Sequence, residues 1–119
     1  MPCTWITHKG KDILISDFSV LKLPQEAIAM LDDVDKKFPE KGSNVRHLMN
    51  IGGVLLSPEF MDKAKAIGKK YVPIGYKDAY CNVSPLKSVM LRGFLLFTGG
   101  GDRAKVFDDI EKAKDWLAE

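Results

Sequence analysis

From Lys77 to Leu117 this chain reads strand, helix, strand, helix without a break. An apolar strand at Ala79 to Val83 is followed by a Ser84-Pro85 helix start, a greasy helix, the glycine run Gly99 to Gly101, a short strand and an acid-capped helix. A strand that returns through a helix to a second strand of the same sheet lies parallel to it. This segment alone therefore makes the chain an α/β protein.

The rest of the chain extends the same pattern. Thr4 to His8 and Asp12 to Asp17 alternate with the two-residue period of strands, with Ile13 and Ile15 on one face, and Lys9-Gly10-Lys11 supplies a tight hairpin turn. Pro24 suits a first helical position. Ala27, Ile28, Leu31, Val34 and Phe38 then recur at spacings of three and four until Pro39 and Gly42 end the helix. Val45 to Leu56 reads as a third strand, and Ser57-Pro58-Glu59 as the cap and first turn of a second helix with Phe60, Ala64 and Ile67 inward. Asp78 to Val83 is the fourth strand. In the third helix, Leu86 to Thr98, a 100° wheel gathers Leu86, Val89, Met90, Gly93, Phe94, Leu96 and Phe97 on one arc and leaves Leu91 and Leu95 outside it, beside Lys87 and Ser88. Arg103 to Phe107 is the last strand, and Asp108 with Glu111 opens a last helix that packs through Ile110, Ala113, Trp116 and Leu117. The order is β-β-α-β-α-β-α-β-α, a mainly parallel sheet with one N-terminal antiparallel hairpin and four helices.

At 119 residues this is one domain, 1–119, able to bury roughly two-thirds of its unfolded surface without a disulfide or metal. Eighteen basic against sixteen acidic side chains, interleaved on helix faces, do not make the basic, aromatic-rich stripe of a nucleic-acid binder. Cys3 and Cys81 have no partner at a metal-ligand spacing and read as free thiols of a reducing compartment. The start lacks a basic segment followed by an apolar run of signal-peptide length, and no stretch approaches the roughly 18 apolar residues of a membrane span. A cytoplasmic protein without cofactor or metal is expected.

The closing run SPLKSVMLRGFLLFTGGGDRAKVFDDIEKAKDWL resembles the ending of the bacterial STAS/SEC14-like proteins of unknown function, members of the SpoIIAA-like group. There a Leu-Lys pair opens an apolar helix that ends in Phe-Thr-Gly, and Val-Phe-Asp leads into a helix ending Ala-x-x-Trp-Leu. The resemblance is specific over about the last forty residues, and topology carries it further. It implies the SpoIIAA-like fold and a regulatory or binding role. STAS domains switched by phosphorylation carry Asp-Ser-Ser-Gly at the turn from third strand to second helix. Ser57 lies near the phosphorylated position, but the flanking Asp and Gly are missing and Pro58 stiffens the turn, so helix capping is the favoured reading of Ser57.

Four further residues form a candidate anion or ligand site at the third helix start: Asn82 and Ser84 with Lys87 and Arg92 for charge. Each also has a structural reading as cap or solvated face. Gly99-Gly100-Gly101 ends a helix instead of opening one and is no phosphate loop. His8 and His47 lie in separate strands outside any motif, and Cys81 sits inside a strand, so no catalytic constellation is legible. Leu91 and Leu95, with Tyr76 and Tyr80 beside strand four, form a candidate interface. The reading favoured by the sequence is a non-enzymatic, homodimeric interaction module. Its rivals are a carrier or sensor of a small apolar or lipid-like ligand, with transient membrane contact, and an antagonist switched at Ser57.

Overall fold

The computed structural model describes residues 2–119. Five strands, β1 (Cys3–His8), β2 (Lys11–Asp17), β3 (Val45–Asn50), β4 (Gly75–Cys81) and β5 (Ala104–Phe107), lie side by side in chain order. β1 pairs antiparallel with β2, and β2, β3, β4 and β5 pair in parallel. Four helices join them: α1 (Pro24–Lys37), α2 (Pro58–Tyr71), α3 (Pro85–Thr98) and α4 (Ile110–Ala118). Because every parallel crossover steps one strand in the same direction and crossovers are right-handed, α1, α2 and α3 cover one face of the sheet and α4 covers the other.

Local chemistry fixes the joints. The hairpin has a two-residue turn in which Lys9 (φ +50°) and Gly10 (φ +79°) both take the left-handed region, the geometry that matches the twist of the flanking strands. The Glu26 carboxylate accepts the Lys22 and Leu23 amides and caps α1 behind Pro24. Ser57 and Ser84 cap α2 and α3 by accepting the amides of Phe60 and Lys87. Gly99, at φ +84°, ends α3 in a left-handed turn. α4 is capped by Asp109, one residue beyond the expected Asp108, through the Glu111 amide.

β3 stops at Asn50, six residues before the expected Leu56. The Asn50 side-chain oxygen accepts the Gly52 amide and turns the chain out of the sheet, so Gly52 and Gly53 belong to the loop. β4 runs Gly75–Cys81 and so begins three residues before the expected Asp78.

Alternation along the strands separates two cores. On the α4 side Ile13, Leu48, Ala79 and Cys81 pack against Ala113 and Leu117. On the other side Leu14, Val45, Phe18 and Phe60 pack with α1 and α2. At those inward positions, where an apolar residue is the rule, β2 places Ser16, β3 places His47, and β4 places Asp78 and Tyr80.

Candidate functional site

His47 and Asp78 are direct cross-strand partners on β3 and β4. Two residues further along the same face, Met49 stands opposite Tyr80. Over this patch α2 and α3 do not close. They leave two adjoining cavities of about 80 and 70 Å³ that share Val34, His47, Met49, Tyr80 and Phe94 as walls. The first has Asp78, Thr98 and Arg103 at one end and Phe38, Ile67, Tyr71 and Leu95 along its sides. The second is lined almost wholly by apolar side chains, among them Phe18, Leu56, Phe60 and Leu91. The pair offers an apolar chamber with its polar groups at one end, the general character of a small-molecule site.

Burial sets the electrostatics of that end. His47 Nε2 lies 2.7 Å from Ser16 Oγ, and desolvation drops the imidazole to about 3, so it is neutral at any physiological pH. Asp78 is pushed the other way, up to about 6, because desolvation outweighs the pull of the Arg103 guanidinium. Desolvation also raises the Tyr80 phenol well above its ordinary value, so its hydroxyl keeps its proton. Arg103 is held by the Gly75 carbonyl at 2.5 Å and by the Val72 carbonyl. Every fully enclosed side-chain polar atom among the described residues has a hydrogen-bond partner, yet the Tyr80 hydroxyl, the Asp78 carboxylate and His47 Nδ1 bond to no other group among those residues. These three therefore keep access to the cavity they line. Tyr80 matters most among them, since it is as buried as His47 but, unlike His47, makes no side-chain hydrogen bond to another described residue.

Ser16, His47 and Asp78 on three adjacent strands have the residue types of a hydrolytic triad. The geometry does not match one. Ser16 is fully buried on the far side of the histidine from the cavity, where its hydroxyl also meets Cys3 Sγ at 3.6 Å. No hydrogen bond joins Asp78 to His47, and a buried hydroxyl has no route to a substrate. The buried thiols of Cys3 and Cys81 are raised by desolvation, the wrong direction for nucleophiles.

The residues singled out from sequence are placed differently. Asn82 and Ser84 are spent on structure: the Asn82 amide donates to Asn50 Oδ1 at 2.8 Å, and Ser84 caps α3. Lys87 reaches across to the Ile51 carbonyl at 2.5 Å, and partial burial lowers its affinity for a proton. Arg92 lies further along α3 in a shallow groove with Asp102, so the four do not converge on one anion. Ser57 is half-buried, with its oxygen engaged as a cap.

The apolar patch also needs correction. Leu91 is buried at 8% exposure and Leu95 half-buried, and both face the cavities. The exposed large apolar residues of α3 are Leu86, Val89, Leu96 and Phe97, members of the arc expected inside. Tyr80 is an inner wall, whereas Tyr76 is exposed and lies under the Arg46 guanidinium at 4.9 Å.

The sequence reading set His47 aside for want of a motif and did not single out Asp78 or Arg103 as functional. A signal was present: with β3 and β4 in register, polar residues at 47 and 78 fall on the core face.

Comparison with protein-family models, curated proteins and solved structures finds no match. Among the described residues no three metal-binding side chains gather, and no helix is long and apolar enough to cross a membrane.

Proposed function

We propose that this chain is a non-enzymatic binding module of the SpoIIAA-like kind, a carrier or sensor that takes a small, mainly apolar molecule into the chamber between the sheet and α2–α3. The observation that carries this reading is the Tyr80 hydroxyl, which with Asp78 faces a largely apolar cavity and bonds to no other described residue. Because these groups open into the cavity without a hydrogen bond to another described side chain, they are available to pair with a ligand that enters it. An Asp78 that is largely ionised at neutral pH favours a donor, so the polar end is a hydroxyl or an amine, with Tyr80 able to give or accept the second hydrogen bond. The combined space is of the order that holds one benzene-sized ring. A long acyl chain would require α3 to move.

A thermal-shift screen over single-ring phenols, anilines and short-chain alcohols and amines tests this. Compounds with an apolar body and one donor should raise the melting temperature by several degrees, and Tyr80→Phe should shrink the shift. If the wild-type protein is unmoved by every compound of that size, the reading is wrong.

A further inference from the structure

Unlike α1 and α2, and far more than α4 with Ile110 alone, α3 carries large apolar side chains on its outer face as well as its inner one. Leu86 (71% exposed), Val89, Leu96 (83% exposed) and Phe97 form one stripe from its first turn to its last. α3 packs chiefly on α2 and on the turn at Gly101–Arg103, leaving this stripe bare. The charge around it is predominantly positive. α3 contains no acid; its Arg92 is exposed beside the stripe while Lys87 is turned inward to the Ile51 carbonyl, and Lys65 and Lys69 of α2 stand over the Phe97 ring at 5.7 and 5.0 Å. Asp102, just after α3, shares a shallow groove with Arg92 and Leu96 at one margin.

We infer that the outer face of α3 docks onto an anionic lipid surface. A second copy of the chain fits less well, because a two-fold pairing would set the same cations against each other. The stripe also exposes on the order of 500 Å² of apolar surface, against the ~800 Å² per partner of a standard interface. Side chains as prominent as Leu86 and Leu96 form a ridge, and a ridge enters a fluid interface without a shaped counterpart. Leucine and phenylalanine on one face with lysine and arginine at its edge is the composition of helices that lie in a lipid headgroup layer. This inference does not depend on the cavity being a ligand site.

Flotation of the full-length chain with two vesicle preparations, phosphatidylcholine alone and phosphatidylcholine with phosphatidylserine, tests it. The protein should bind the anionic vesicles roughly tenfold or more tightly, and binding should fall as salt rises. Leu96→Glu with Phe97→Ser should abolish binding, while Lys65→Glu with Lys69→Glu should weaken it and flatten its salt dependence. Both pairs are surface changes, so the variants should retain the wild-type melting temperature. Failure of the unaltered protein to bind anionic vesicles overturns the inference. So does sedimentation showing a dimer that Leu96→Glu dissociates, which would assign the stripe to a second copy.

Discussion

His47 and Asp78 face one another across β3 and β4 and titrate in opposite senses. His47 falls from 6.5 to about 3 on folding, so between those values the unfolded chain binds the extra proton and stability rises with pH. Asp78 rises from 3.8 to about 6, so across that window the folded chain holds the extra proton and stability falls with pH. From about pH 4 to 6 the two slopes, each at most about 1.4 kcal/mol per pH unit, oppose one another. Asp78→Asn should therefore steepen the gain in stability with pH across that range, as read by urea unfolding at several pH values. Equal slopes for the variant and the parent would show that Asp78 is not desolvated. Neither residue was legible as a functional group from sequence, because each belongs to no local motif and acquires its meaning from strand register. The caps at Ser57 and Ser84 were legible, because they depend on neighbours within three residues.

Among the elements, α3 departs furthest from its sequence reading. Its span and both ends were foreseen, since Ser84-Pro85 and Gly99 are local signals. Its rotation was not. Apolar residues surround most of this helix, so periodicity could not choose between two nearly equal faces. The choice is made by partners distant in sequence: Lys87 ties the first turn to the Ile51 carbonyl, and the missing side chain of Gly68 on α2 lets α3 come so close that an added Cβ would lie 2.9 Å from Phe94 and Thr98. The two faces are separable by truncation. Leu91→Ala should cost about 2–3 kcal/mol because it empties a packed position, whereas Leu96→Ala should change stability by no more than about 0.5 kcal/mol. Denaturant unfolding of the two variants reads the difference, and a larger loss for Leu96→Ala would mean that the helix is rotated the other way.

The whole molecule is the level at which the sequence was most informative. Element order, the parallel sheet with its antiparallel hairpin, and the placement of four helices all follow from short-range signals joined by the handedness of crossovers. The chamber between sheet and helices was not foreseen, because its existence depends on how far α2 and α3 stand from Met49 and Tyr80, a distance that no periodic pattern encodes. The chamber carries the functional proposal, and filling it is the most direct test. Ala64 lines its apolar half, so Ala64→Phe should occupy the space a ligand needs. Native mass spectrometry of gently purified parent and variant, each with its melting curve, makes the comparison. The account predicts an added small-molecule mass on the parent that is absent from a folded Ala64→Phe protein. A parent without added mass, or a variant that keeps it, would contradict the chamber as the binding site.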